Sequence, residues 1–361
     1  ILVYRTGSLG DTVIALPALW ALKQNFPSAE FHLLSNQSAE SSRIASKSLF
    51  EGSDIFAGFI GYPLGGPMGR LGAAWRSLTL LRRLRSMRFD AVAYLAPSNR
   101  TPKQVRRDRV FFRLAGIRNM LGARGFSAKS RARPMLIQAF EADCILGRLA
   151  HDGLALPPPG GGSFDLKLGP IEEAAVDGWL DTLPTDGGRA WLGVGPGSGK
   201  PATRWPEDRY AELVGRLIRQ WDLWPVVFGG KEDFAVAEGL LAAWGRGYNA
   251  CGALGVRDAT AAMRRCHVYV GNDSGPLHLA ASVGVPCVGV YSARDIPGEW
   301  YPYGEGHIVL RKQIDCEGCG LTHCVERHNE CTLAIEVGEL EEACGRLLGS
   351  LSVKAAVGSQ A

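Results

Sequence analysis

"ILVYRTGSLGDTVIALPAL", residues 1–19, opens the chain with a four-residue apolar run, a polar loop holding two glycines, and an apolar pattern of helical period. A short continuous apolar run marks a strand buried on both faces. A strand that feeds a helix through a glycine loop is the repeating unit of a parallel sheet. The pattern predicts a strand over Ile1–Tyr4 and a helix from about Asp11 to Asn25. "EFHLLS" (Glu30–Ser35) and "FDAVAYLAP" (Phe89–Pro97) read as further strands of the same sheet.

The same grammar restarts beyond "LPPPGGGSFDLKLGP" (Leu156–Pro170), the densest cluster of breakers and the natural linker. "AWLGVGPGSG" (Ala190–Gly199) is a strand running into a glycine loop. "WPEDRYAELVGRLIRQ" (Trp205–Gln220) reads as a helix with Pro206 and two acids in its first turn. "WPVVFGG", "HVYVGND" and "VPCVGVYS" follow as strands, and a last amphipathic helix is expected from about Val337 to Leu348. The expected class is α/β, with two doubly wound Rossmann-like domains facing a central cleft. Residues 1–158 form the first domain, 159–169 the linker, 170–335 the second domain, and 336–361 a C-terminal helix and tail. Ligands of such sheets bind at the C-terminal ends of the strands.

A length of 361 residues suits two domains, and the composition is that of a globular protein. No apolar run reaches the roughly 18 residues of a spanning helix, and the first residues lack the basic stretch of a signal peptide. Nine cysteines, an odd number, argue for reduced thiols in the cytoplasm rather than a disulfide framework. Charge is uneven. Between Arg70 and Arg133 stand 17 Lys/Arg against two acids, leaving 23 against 34 elsewhere. Such a block suits an anionic partner, whether phosphate groups, an acidic glycan, a membrane surface or nucleic acid; its plain alternative is a solvated helical face.

Four clusters carry chemistry. In the opening loop, Gly7, Ser8 and Gly10 leave room for a ligand near the backbone, and Asp11 is either a helix cap or a carboxylate aimed at a substrate. The loop is not a dinucleotide fingerprint, which needs three glycines and an acid ending the second strand. In "GNDSGPLHLAASVG" (Gly271–Gly284), a strand ends at Asp273-Ser274-Gly275 and a helix begins at once, a setting that suits a pyrophosphate. His278, one turn in, is either part of that site or a packing residue. "GPGSGKPATRWP" (Gly195–Pro206) brings Ser198, Lys200 and Arg204 to the matching strand end, and "FGGKED" (Phe228–Asp233) offers a carboxylate to ribose hydroxyls or merely an exposed loop acid. Cys316, Cys319, Cys324 and Cys331 are either free thiols, occasional disulfides or ligands of a structural zinc.

"TGSLGDTVIALPAL", "PGSGKPATRWPEDRYAEL" and "GNDSGPLHLAASVGVPCVGVY", in that order and spacing, resemble glycosyltransferase family 9, the bacterial heptosyltransferases of lipopolysaccharide core assembly and their relatives. The resemblance covers nearly the whole chain. It implies the two-domain GT-B fold and an inverting, metal-independent transfer from an ADP-activated sugar, typically ADP-heptose. The first domain would take the acceptor and the second the nucleotide. It implies Asp11 as general base, and Ser198 with the backbone of Ser274–His278, Leu277 included, as holders of the diphosphate. Asp233, beside Glu232, falls on the adenosine ribose.

Two departures stand out. The family's lysine before Arg-Trp-Pro is Thr203 here, so either Lys200 or Arg204 replaces it or turnover is weakened; on that reading Thr203→Lys preserves or raises turnover. The family's Gly-Pro-Thr after the last strand is Ser292-Ala293-Arg294.

The sequence reading is thus a cytoplasmic enzyme at the inner membrane surface. It would move a heptose-like sugar from an ADP donor to an anionic lipid-linked glycan of lipopolysaccharide type. The rivals are a nucleotide-sugar epimerase of the same fold and a non-catalytic binder of anionic glycan or nucleic acid. The basic block has few aromatics interleaved for base stacking, so no nucleic-acid partner is expected.

Overall fold

Every strand of the computed structural model pairs in parallel with its neighbours, as the glycine-loop grammar requires. The structure describes residues 1–37, 46–63, 69–126 and 134–358. The chain divides into two compact units, Ile1–Ser130 with Ala139–Lys167, and Arg131–Gln138 with Leu168–Ala361. The border at 167/168 falls inside the stretch 159–169. The early excursion Arg131–Gln138 into the second unit has no signal in the sequence. Its described end is tied there by the Met135 N–H, which donates to Glu317 Oε1 at 2.5 Å, and by the Gln138 N–H, which donates to the Pro297 carbonyl at 2.8 Å.

The first unit holds β1 (Leu2–Tyr4), β2 (His32–Gln37), β3 (Gly58–Pro63), β4 (Ala91–Tyr94) and β5 (Asn119–Leu121) in the order β3-β2-β1-β4-β5. Leu2, Val3 and Tyr4 are all buried, which is why the opening run carries no alternation. The chain leaves β1 toward β2 and later returns to pair β4 on its other side. The loop after β1 therefore sits at a topological switch point, the usual ligand position of an open parallel sheet. The helix expected from Asp11 is two helices, Leu9–Ile14 and Leu16–Asn25. Pro17 cannot donate to the ladder and its ring crowds the preceding turn, so one helix cannot run through.

The second unit holds β6 (Trp191–Gly195), β7 (Trp224–Val227), β8 (Tyr248–Asn249), β9 (Cys266–Asn272), β10 (Cys287–Tyr291) and β11 (Ile308–Arg311), ordered β11-β10-β9-β6-β7-β8. Its switch point lies between β6 and β9. The helix predicted from Trp205 starts at Glu207 instead. Trp205 is buried, its indole edge-on to Tyr210 at 4.9 Å, and Nε1–H donates to the Ile335 carbonyl at 3.0 Å. Tyr210, Leu213, Val214 and Leu217, at helical spacing, carry that helix onto the core. Glycine has a packing reason at the ends of β6 and β9: Gly195 and Gly271 lie opposite each other over the Tyr269 ring, and a Cβ on Gly195 would collide with its hydroxyl. The last helix runs Val337–Gly358, longer than expected, since Gly349 weakens a helix by only about 1 kcal/mol and no proline follows.

Candidate active site

In the first unit the site grows from the turn after β1. Gly7 has φ +145, and a Cβ there would lie 2.7 Å from both Cβ and Oδ2 of Asp11, so conformation and space both call for glycine. Its N–H donates to Asn36 Oδ1 at 2.8 Å, near the C-terminal end of β2. Ser8, not Asp11, is the N-cap. Ser8 N–H and Oγ–H both donate to Asp11 Oδ2 at 2.6 Å, and the Asp11 N–H returns a bond to Ser8 Oγ at 3.3 Å. This capping box holds the carboxylate of Asp11 by one oxygen. The other, Oδ1, has Arg5 at 3.7 Å, and the side chain keeps 24% of its surface exposed.

Arg5 itself is 1% exposed. Its Nη1 donates to the Leu95 carbonyl just past β4 at 2.8 Å, and Nη2 donates to the Asp11 carbonyl. Burial lowers its pKa, while Asp11 and Glu141 act to raise it. A buried guanidinium thus joins the loops on either side of the switch point and fixes Asp11 beside them. A cation immediately after an apolar strand was the available signal for Arg5. The role of Asn36 had none.

In the second unit the loops after β6 and β9 meet through Asn272, which is fully buried. Its Oδ1 accepts from the Trp205 N–H at 3.0 Å and the Tyr210 hydroxyl at 3.1 Å, and its Nδ2 donates to the Pro196 carbonyl at 2.6 Å. Asn272 stands inside the quoted GNDSG stretch, but nothing in its spacing distinguished it from the aspartate that follows.

The β6 loop is largely self-bonded. Ser198 Oγ and Thr203 Oγ1 are 2.7 Å apart, the Lys200 N–H donates to Ser198 Oγ at 3.2 Å, and Arg204 Nε donates to the Ser198 carbonyl at 2.9 Å. Thr203 is fully buried, with its hydroxyl donating to the Lys200 carbonyl at 2.9 Å. The expectation that lysine at this position would help is therefore corrected: the side chain points into the loop, where an ammonium would be desolvated. Lys200 and Arg204 are exposed.

The loop after β9 begins the helix Gly275–Ser282 with Ser274 as N-cap. The Ser274 hydroxyl makes no bond to that helix, and its Oγ is buried without a hydrogen-bond partner. His278 is 6% exposed, with Nε2 3.7 Å from Asp273 Oδ1. Leu277 is fully buried against Gly289 of β10, so only its backbone N–H could serve a ligand. Asp295 was not anticipated. Burial raises its pKa, with Asp273 adding to the rise and Arg294 and Lys200 opposing it, which places Lys200, Asp273 and Asp295 in one charged neighbourhood.

Asp233 lies between the loops after β6 and β7. The Gly230 N–H donates to its Oδ2 at 3.0 Å, and a Cβ on Gly197 would collide with its carboxylate. Burial raises its pKa, reinforced by Glu232 and opposed by Arg204. Gly197, Arg204 and Asp233 line a cavity of about 400 Å³ with Trp205, Asn329 and Leu333 among its other walls.

The cysteine loop gives the zinc reading no support. Among the described residues no group of three or more His, Cys, Asp or Glu side chains is gathered closely enough to hold a metal ion. Cys331 is buried, Cys319 exposed, and Cys316 and Cys324 lie between, so the tetrahedral zinc set is not assembled. Backbone bonds hold this loop instead. Arg294 Nε donates to the Leu321 carbonyl at 2.6 Å and Nη2 to the Gly320 carbonyl at 2.8 Å, while the Ala202 N–H donates to the Thr322 carbonyl at 3.0 Å. The arginine that departs from the family's Gly-Pro-Thr thus anchors the loop.

Residues 170–329, which contain Ser198, Lys200, Arg204, Asp233, Asn272 and Ser274, match the model of glycosyltransferase family 9 (heptosyltransferase). That segment is similar to glycosyltransferase family 9. The chain is 35% identical over 111 residues to lipopolysaccharide heptosyltransferase 2 of Salmonella typhimurium, covering 28% of this chain and 31% of that protein. It is 30% identical over 194 residues to lipooligosaccharide heptosyltransferase 2 of Haemophilus ducreyi, covering 49% and 52%. The match thus spans from under a third to about half the length of these relatives. The solved structure of the E. coli ADP-heptose lps heptosyltransferase II superposes with a TM-score of 0.67 at 21% identity, over 97% of this chain and 99% of that one. At that identity the likeness speaks for the fold, and the chain has the GT-B architecture of two doubly wound sheets.

Proposed function

We propose that the protein is an inverting glycosyltransferase that moves a heptose-like sugar from an ADP-activated donor to an anionic, lipid-linked glycan of lipopolysaccharide type. The observation that carries the reading is Ser274. Its hydroxyl is buried without a partner at the start of an eight-residue helix, inside the family-matched segment and among the loops that present Lys200 and Arg204. The unbonded N–H groups of a first helical turn favour an anion with several oxygens, and a diphosphate has them. Relatives named as lipopolysaccharide and lipooligosaccharide heptosyltransferases support the sugar and the acceptor class.

In the reaction, Asp11 accepts the proton of the acceptor hydroxyl at Oδ1 while Ser8 holds Oδ2 in place. That oxygen forms a bond to the anomeric carbon as the bond from this carbon to the diphosphate oxygen breaks on the opposite face. The configuration inverts and ADP departs with the electron pair. Charge developing on the leaving diphosphate is met by the helix start at Ser274-Gly275 and by Lys200 and Arg204, so a metal is not needed for this step. Asp233 would accept from the ribose hydroxyls. The enzyme would work in the cytoplasm, meeting its acceptor at the inner face of the membrane; among the described residues no helix is long and apolar enough to cross one.

Calorimetry with ADP tests the donor site. A charge-assisted hydrogen bond contributes roughly 1.5–3 kcal/mol, so Arg204→Ala or Lys200→Ala should weaken ADP about 10–100-fold. Ser274→Ala should weaken ADP and free pyrophosphate alike, whereas Asp233→Ala should weaken ADP and leave pyrophosphate unchanged. No ADP binding by the unmodified chain would contradict the assignment.

A further inference from the structure

Two helices of the first unit carry an outer side that the transfer reaction does not use. The helix Gly69–Met87 follows β3 and the helix Pro102–Leu114 follows β4. In the order β3-β2-β1-β4-β5 the chain moves from β3 to β4 and on to β5 in one direction. Right-handed crossovers therefore put both helices on the same face of the sheet, where they contact each other. Leu80 and Leu84 of the first and Val105 and Phe112 of the second point inward and are buried over β1, β2 and β4.

The outward positions repeat at the same three- and four-residue steps. On the first helix they are Trp75, Leu78, Arg82 and Arg85, with Trp75 65% and Leu78 45% exposed. On the second they are Lys103, Arg106, Val110 and Arg113 with Leu114, and Val110 is 51% and Leu114 57% exposed. The only carboxylate on either helix is Asp108. It is 6% exposed and accepts from the Tyr94 hydroxyl at 2.6 Å and from Arg107. The outer side thus mixes cations with large apolar groups and carries no acid.

A solvated face explains the arginines but not an indole two-thirds in water among leucine and valine. A nucleic acid would want several flat rings, and here there is one. A bilayer with anionic headgroups accounts for both parts, since cations lie among the phosphates while tryptophan and aliphatic side chains enter the headgroup–acyl boundary. We propose that this two-helix face docks the first unit on an anionic lipid bilayer, with Trp75, Leu78, Val110 and Leu114 as the embedded groups. The proposal deepens the reading of a lipid-linked acceptor and rests on it for its purpose, though its test does not depend on transfer.

The test is co-sedimentation of the whole chain with vesicles of phosphatidylcholine, with and without phosphatidylglycerol. Binding should need phosphatidylglycerol and should weaken as salt shortens the Debye length from ~10 Å at 0.1 M to ~3 Å at 1 M. Each cation near such a surface changes partitioning roughly fivefold, so the combined variant Arg82→Glu, Arg85→Glu, Arg106→Glu should bind at least about 100-fold less. Vesicles should blue-shift the tryptophan emission of the unmodified chain, and Trp75→Phe should abolish that shift. All substituted positions are exposed, so thermal melting should be unchanged. Equal binding to neutral and anionic vesicles, an unaffected triple variant, or binding to heparin with none to vesicles would overturn the proposal. Vesicle binding without any ADP binding would instead count against the transferase reading alone.

Discussion

The hydroxyl of Thr203 lies 2.7 Å from that of Ser198 and donates to the Lys200 carbonyl at 2.9 Å, with no surface exposed. A lysine there would break both contacts and place an unpaired ammonium in the loop, while its neighbours Lys200 and Arg204 already supply charge from exposed positions. Leaving a charge buried without a partner costs about 3 kcal/mol or more. Thr203→Lys should therefore lower the unfolding free energy from urea melts by that margin and weaken ADP binding, while Thr203→Ser, which keeps the hydroxyl, should do neither. A lysine variant as stable as the parent would mean that the loop can open and let the side chain reach the donor. The identity of residue 203 was plain in the sequence, but its direction was not. A motif gives order and spacing, whereas the Ser198–Thr203 contact depends on the turn that Pro201 starts. Asn272 is the converse case, a buried amide that no motif singled out because its three partners are far away in sequence.

Among the elements, the loop after β1 couples backbone and chemistry most tightly. Gly7 has φ +145 and its missing Cβ leaves the space that Asp11 fills. Gly7→Ala should thus cost stability through strain, about 1–3 kcal/mol, and should also displace the carboxylate. The expected signature in steady-state kinetics is a loss in kcat with ADP affinity unchanged, because the loops proposed for the donor belong to the other unit. Unchanged kcat would show that Asp11 is not held by this turn. Elements of this kind were legible from the start: apolar runs located β1, β6, β9 and β10, and each glycine loop fell at a strand end. Boundaries were less legible. Ser8 took the cap that was one of two readings of Asp11, Pro17 split a helix, and Trp205 left its helix for the core through a bond to Ile335 far along the chain. The cysteine loop misled because ligand spacing says nothing of how four side chains converge, and Arg294 holds that loop by its carbonyls instead.

For the whole molecule, each unit has a switch point of a parallel sheet with polar side chains beside it: Asp11 beside β1 and β4 in one, Ser274 with Lys200 and Arg204 beside β6 and β9 in the other. The charge block between Arg70 and Arg133 is confined to sequence before the second unit's sheet, and its stretch 127–133 lies outside the described residues. The two-sheet organisation was visible as a repeated grammar; the excursion of Arg131–Gln138 was not, because it depends on the partners offered by Glu317 and Pro297. The central claim is that a base in the first unit and a diphosphate site in the second perform one inverting transfer. Incubation with ADP-heptose and a lipid-linked lipopolysaccharide-type acceptor, followed by ADP release and by NMR of the new anomeric centre, tests it most directly. The account predicts ADP release that requires the acceptor, a product of inverted configuration, and a fall in kcat of roughly 10²–10⁴-fold in Asp11→Asn with little change in donor affinity. A product of retained configuration, or near-normal turnover by Asp11→Asn, would contradict it.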